Sequence, residues 1–377
     1  MTDPVSTEDT ITKVTMPKWG LSMKSGKITS WFVAEGDEVA EGDELADIDT
    51  DKITGVLESP VPGVVRRVLA ETNEDAPVGA TIALIAPAGV PEELIDEAAR
   101  AAREELDSGA VEEVAGPALG TVRVDGRTLS YATLGTAAET VLLVHGYGGD
   151  KNSWLFVQEP LSARATVHAI DLPGHGDSTK DVGDGSLDTL AGAVVGFLDQ
   201  QGIERVHLVG HSLGGAVATA AAAREPGRIA SLTLVAPAGY GDQINADYLR
   251  GFARASSRRE LKPHLTQLFA DPGHVTRQLA DDLMKFKRLD GVQQALDSLL
   301  GTLLDGDRPG IDAASLLQEF TGPVRVVWGR ADQVLPAANA AALEGRAQIA
   351  YVDNAGHMVH MEQPSAVVDA VAGALDG

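Results

Sequence analysis

Two sets of residues in this chain could do chemistry. Ser212 stands in Gly210-His211-Ser212-Leu213-Gly214, directly after the apolar run 206–209 and before the alanine-rich stretch 216–224. Small residues at 210 and 214 permit the sharp strand-to-helix turn that presents a nucleophilic serine. A serine hydroxyl attacks poorly until a base takes its proton, and His357 in Asn354-Ala355-Gly356-His357 is the expected base, then the acid for the leaving group. Asp332, after the apolar run 324–328, would hold the His357 tautomer and stabilise its imidazolium. The backbone N–H groups of Leu213 and of Tyr147, in His145-Gly146-Tyr147-Gly148-Gly149, would hold the oxyanion; loss of one such donor typically costs about 3 kcal/mol. The second set is a single amine: Lys52 in Asp49-Thr50-Asp51-Lys52-Ile53-Thr54, at an expected hairpin tip.

Neighbouring residues support fewer roles. His145 and His211 flank the site and fit loop hydrogen bonds better than catalysis. His357 and His360 stand three apart with no evident third ligand, so no metal site is expected. Residues 210–215 lack the Gly-Lys-Ser/Thr ending of a phosphate loop.

These side chains need a scaffold. Most of the runs 141–144, 166–170, 206–209, 232–235, 324–328 and 349–352 are apolar and β-branched, as in strands buried on both faces of a parallel sheet. Helical stretches alternate with them, which predicts an α/β sandwich over 119–377. Residues 238–320 leave the sheet pattern and read as a helical cap. Within it, 251–288 hold 8 bases and 4 acids, Arg258 and Arg259 among the bases.

The front of the chain reads differently. From 12 to 87 short apolar strands are broken by Gly36-Asp37, Gly42-Asp43, Pro62-Gly63 and Pro77-Val78-Gly79, which predicts a small all-β sandwich or flattened barrel. Residues 1–11 read as a flexible arm. Residues 88–118 read as an acidic linker with one short helix and frayed flanks.

Composition bounds the partners. Net charge is −25; residues 1–118 carry 25 acids against 9 bases, so the front third holds most of the excess. That speaks against nucleic-acid binding. No run of eighteen apolar residues occurs, and residues 1–10 lack an apolar core, so neither a membrane span nor secretion is expected. Cysteine is absent, which excludes a catalytic thiol and fits a cytoplasmic protein.

Residues 12–87 resemble a lipoyl domain of the 2-oxo acid dehydrogenase type, on Glu35-Gly36-Asp37-Glu38-Val39, Glu41-Gly42-Asp43-Glu44-Leu45, Asp51-Lys52, Gly63 and Val78-Gly79. The resemblance implies that Lys52 takes lipoate in amide linkage. Such a lysine must protrude, because a ligase must reach it and the arm must swing. Biotinyl domains share the fold but carry Met-Lys-Met at the tip; Asp51 and Ile53 favour lipoate.

Residues 119–377 resemble the α/β-hydrolase fold. The resemblance rests on the order Ser212, Asp332, His357, the loop Asp171-Leu172-Pro173-Gly174-His175-Gly176-Asp177-Ser178, and Glu362-Gln363-Pro364. A lipoyl domain followed by such a domain resembles the E2-type component of acetoin dehydrogenase systems. This implies an acetyl group passed from dihydrolipoyl-Lys52 to coenzyme A. It also implies partnership with a thiamin-diphosphate-dependent E1 and a flavin-dependent dihydrolipoamide dehydrogenase (E3), and a homo-oligomeric core. Arg258 and Arg259 would then meet coenzyme A phosphates. The His-x-x-x-Asp-Gly motif of ordinary E2 domains is absent near the C-terminus, so the transferase reading rests on the serine triad. A serine hydrolase with an attached carrier, and a non-catalytic carrier or scaffold, remain alternatives.

Overall fold

The computed structural model describes residues 11–17, 23, 25–49, 54–108 and 116–376. It divides into two units, Met1–Pro117 and Ala118–Gly377.

In the first unit the described strands are β1 (Thr12–Thr15), β2 (Ser25–Trp31), β3 (Glu38–Val39), β4 (Glu44–Asp49), β5 (Thr54–Glu58), β6 (Gly63–Val68), β7 (Asp75–Pro77) and β8 (Thr81–Ala86). They form two four-stranded sheets, ordered β1-β8-β6-β3 and β5-β4-β2-β7. Ile28, Leu45, Ile48, Val65, Ile82 and Ile85 form the core they share. The last residue pair of β4 and β5 is Asp49 with Thr54, so these two strands flank 50–53.

A helix, α1 (Glu92–Ser108), follows. The short helix expected inside a linker is thus 17 residues long, and it is docked. Strand β8 shows why. Its alternate residues Ala83 and Ile85 enter the shared core, while Leu84 and Ala86 turn outward and are covered by Ile95, Ala99 and Ala102 of α1. Arg67 binds Glu92 and Asp96, and Arg66 binds Glu92 at 2.6 Å. The two guanidiniums beside Glu92 hold its carboxyl below the usual range.

The second unit opens with β9 (Ala118–Val124), β10 (Arg127–Leu134), β11 (Thr140–Val144), α2 (Leu155–Ser162), β12 (Thr166–Ile170), α3 (Leu187–Gln200), β13 (Val206–His211), α4 (Leu213–Arg224) and β14 (Ile229–Val235). The cap follows: α5 (Ala246–Arg254), α6 (Arg258–Leu265), α7 (Arg277–Lys287), α8 (Val292–Leu303), the small ribbon β15 (Leu304–Asp305) and β16 (Arg308–Pro309), and α9 (Ala313–Leu316). The chain closes with β17 (Val324–Gly329), β18 (Gln348–Val352), α10 (Val359–Glu362) and α11 (Pro364–Leu375).

Eight strands make one sheet in the order β18-β17-β14-β13-β11-β12-β10-β9. The six from β18 to β12 pair in parallel. Strands β10 and β9 add an antiparallel edge that periodicity did not single out. In β11, Val141 and Leu143 pack on one face with residues of α2 and α11, and Leu142 and Val144 on the other with residues of α3 and α4. This two-sided burial is why the strand is continuously apolar. Strand β13 lies inside the sheet, so its C-terminal end delivers Ser212 to the middle of the edge where ligands bind in such sheets. Among the described residues no helix is long and apolar enough to cross a membrane.

Ile95, on the inner face of α1, is fully buried. Its replacement by alanine should cost about 2–5 kcal/mol. Urea unfolding of the full chain, followed by hydrogen exchange of first-unit amides, measures this. A cost below about 0.5 kcal/mol, as at an ordinary surface site, would mean that α1 is not docked.

Candidate active site

Ser212 joins β13 to α4 with φ 52° and ψ −119°. A non-glycine residue there carries strain of about 1–3 kcal/mol. Four backbone hydrogen bonds hold it: the Ser212 N–H donates to Val235 O, and its carbonyl accepts from Gly215, Ala216 and Ala238. The flanking glycines are steric requirements. A Cβ at Gly210 would lie 2.3 Å from Gly214 O, and one at Gly214 would lie 2.3 Å from Val144 O.

Asp332 lies in the loop after β17. Its Oδ2 accepts from His357 Nδ1 at 2.8 Å and from Trp328 Nε1 at 3.2 Å. Its Oδ1 accepts from the N–H groups of Val334 and Leu335 at 2.8 and 2.9 Å. Four donors thus fix one carboxylate. With Nδ1–H committed to Asp332, His357 Nε2 is left to handle a proton.

The His357 loop is bolted to the cap. Leu268 O accepts from the N–H groups of His357 and Met358 at 2.8 and 3.1 Å. Glu362 accepts from Gly356 N–H at 2.6 Å and, with its other oxygen, from Ala270 N–H at 2.7 Å. His211 Nε2 donates to the His357 carbonyl at 3.0 Å.

On the opposite side, the 145–149 loop abuts the serine. A Cβ on Gly146 would lie 3.0 Å from Ser212 Cβ. The N–H groups of Tyr147 and Leu213 make no hydrogen bond among the described residues. The Tyr147 hydroxyl donates to Leu296 O of α8 at 3.0 Å, and burial pushes its phenol up. His145 accepts from Leu172 N–H, and His175 from Gly148 N–H, each at 3.0 Å. Burial pushes both imidazoles below their ordinary value. Lys151 Nζ ties this loop to Asp171 and Asp177 at 2.7 and 2.8 Å.

The structure therefore brings together His357 and Asp332, and Ser212 with the 145–149 loop that carries Tyr147. Arg258 and Arg259 lie on the first turn of α6. Arg258 is paired with Asp281 at 3.1 Å, while Arg259 makes no ion pair among the described residues. Lys52 lies outside the described residues, between β4 and β5. Sequence reasoning missed Asn245, which caps α5 and ties it to the acid loop. It donates from Nδ2 to Gln333 O and from its backbone N–H to Val334 O, both at 2.9 Å.

The fold and this site define an α/β hydrolase carrying a biotin/lipoyl-type domain. Residues 139–364 match the alpha/beta hydrolase fold family, and residues 12–85 match the biotin-requiring enzyme family, whose domain carries a covalently attached biotin- or lipoyl-type cofactor. A serine hydrolase from Cycloclasticus zankles shares the fold of the second unit, with TM-score 0.64 and 24% identity over 70% of this chain and 99% of that one. A bacterial membrane phospholipase A has TM-score 0.61 and 26% identity over 76% and 96%. Two relatives match nearly end to end. The dihydrolipoyllysine-residue acetyltransferase component of the acetoin cleaving system from Cupriavidus necator is 45% identical over 94% of both chains, and its Pseudomonas putida counterpart is 45% identical over 93% and 94%. The chain belongs to this family of acetoin-system acetyltransferase components.

Asp332→Asn keeps the shape but cannot hold the His357 tautomer. Its kcat should fall by about 10⁴, against any acyl donor that the wild type processes in a Ser212-dependent way; steady-state kinetics beside the wild type decides it. A second expectation concerns pH. Burial lowers His360 to about 3 and His168 to about 4. Above about pH 6.5 these rings are neutral in both folded and unfolded chains. Below it the unfolded chain takes up protons that the folded chain refuses, so stability should decline from about pH 6.5 towards 4. Urea midpoints across that range test this, and His360→Phe should make the decline shallower.

Proposed function

We propose that the chain moves an acetyl group to coenzyme A through an acyl-Ser212 intermediate. When attached at Lys52, lipoate would supply a dithiol that presents the acyl group as a thioester. Ser212 Oγ attacks the thioester carbonyl while His357 Nε2 takes its proton. The oxyanion falls to the N–H groups of Leu213 and Tyr147. His357 then protonates the departing sulfur. In the second half, His357 takes the proton of the coenzyme A thiol, the sulfur attacks the acyl-Ser212 carbonyl, and the serine leaves with that proton.

The observation that carries this reading is the fixed Asp332–His357 pair beside the strained Ser212 turn, in a chain 45% identical to acetyltransferase components. Arg259 is the freer of the two cap arginines to meet coenzyme A phosphates, because Arg258 is engaged by Asp281. Work in a complex implies a thiamin-diphosphate-dependent E1, an E3 and a homo-oligomeric core as partners. The cytoplasm is the compartment where these meet, and the absence of cysteine fits it.

Lipoylated protein supplied with S-acetyl-dihydrolipoamide and coenzyme A should yield acetyl-coenzyme A, with little free acetate. Ser212→Ala should abolish it, and Lys52→Arg should block transfer from the protein-borne arm but not from the free donor. Serine-dependent acetate that ignores coenzyme A would instead establish a hydrolase. Full transfer by Ser212→Ala would establish a carrier or scaffold.

A further inference from the structure

Tyr248 is a cap residue that the mechanism above does not use. It is 4% exposed. Its hydroxyl makes no hydrogen bond among the described residues, yet it is not among the unpartnered polar atoms sealed from solvent, as Trp154 Nε1 and both His360 nitrogens are. A buried phenol normally finds a partner for its O–H. One that lacks a partner yet touches open space is available to a ligand.

Helix α5 determines where that hydroxyl lies. Its N-cap Asn245 is held to Gln333 and Val334, the two residues after Asp332, and accepts from Tyr248 N–H at 2.9 Å. One turn further on, Phe252 packs edge-on against Tyr147, with centroids 5.8 Å apart. A Cβ on Gly148 would meet the Phe252 ring at 2.4 Å. Tyr248 stacks at a tilt on Phe252, 6.1 Å away. Helix α5 thus runs from the acid loop to the oxyanion loop, with Tyr248 towards the acid end. Burial, then the Asp332 carboxylate, pushes the Tyr248 phenol up, so it keeps its proton. Its charge would also be felt by Tyr147.

His357, which has to protonate the leaving group, belongs to that acid end through its Nδ1 bond to Asp332. We propose that Tyr248 is a further catalytic residue, whose hydroxyl donates a hydrogen bond to the sulfur of the acyl thioester as it leaves. The C–S bond breaks and its electron pair goes to sulfur. The His357 imidazolium supplies the proton, and the phenol O–H supports the negative charge until that proton arrives. Tyr248 keeps its own proton throughout. By microscopic reversibility the same hydroxyl would meet the incoming coenzyme A thiolate. This rests on the serine-transfer reading above and adds a named group to it.

The test varies the leaving group at constant acyl group. Full-length wild type and Tyr248→Phe are compared on S-acetyl-dihydrolipoamide, whose thiolate needs support, and on p-nitrophenyl acetate, whose phenolate does not. The variant should lose about tenfold in kcat/KM on the thioester, the worth of one hydrogen bond to a charged atom, and less than about twofold on the aryl ester. Across a series of aryl acetates its rate should depend more steeply on leaving-group acidity than the wild type's. Removing an unpartnered hydroxyl should leave the thermal midpoint unchanged or raised. Equal losses on both substrates, or no loss on either, would overturn the proposal. The transfer reading can fail separately. If the wild type makes acetate and no acetyl-coenzyme A, the leaving-group comparison still decides the role of Tyr248.

Discussion

The turn at Ser212 is the constraint around which the second unit is built. A serine at φ 52° is out of its preferred backbone range, and it stays there because its surroundings leave no alternative. Strand β13 enters the turn from inside the sheet, paired on both sides, and α4 leaves it buried along most of its length. To fit, the backbone of α4 must approach that of β11 so closely that a single Cβ at 214 would collide with Val144 O. Sheet order, the glycines and the alanine-rich helix are therefore consequences of one requirement: a serine side chain lifted clear of the strand end. Burial of α4 residues such as Val217, Ala218 and Ala221 in the main core supplies the stabilisation that offsets the strain.

Much of this could be read in the sequence, because it is written in local order. The parallel strands show as continuous apolar runs, and each catalytic candidate follows such a run within a few residues. Ser212 follows β13, Asp332 follows β17, and His357 follows β18. The hidden parts depend on contacts far apart in the chain. Strand β10 alternates buried and half-exposed residues in part, and only its pairing with β12 places it in the sheet. The docking of α1 had a signal: the run Thr81–Ala86 is apolar on both alternating sets, which a half-exposed strand would not be. Asn245 and Tyr248 carried none. Asn245 owes its importance to Gln333 and Val334, nearly ninety residues later. Lys52 was singled out from its neighbours alone, and it lies outside the described residues.

The cap is part of the site rather than a cover over it. One of its segments, 268–271, holds the base loop through Leu268 O and Glu362. Another, α8, holds the oxyanion loop through Tyr147. A third, α5, touches both sides, through Asn245 at the acid loop and Phe252 at Gly148. Separating the cap from the sheet would break contacts to the loops that carry Asp332, His357 and Tyr147 together.

A site held in this way is preorganised, and its donors cost no reorganisation when charge develops. The buried imidazoles around it add to this. His145, His175, His211 and His360 are all pushed towards the neutral form, chiefly by burial. None of them places a competing positive charge beside His357, so an imidazolium formed there would have Asp332 to itself. The proposed triad would activate a thiol or a water with the same machinery. Choice of acceptor must then come from what the cap admits and which leaving groups its side chains support, and not from the serine, the histidine or the aspartate.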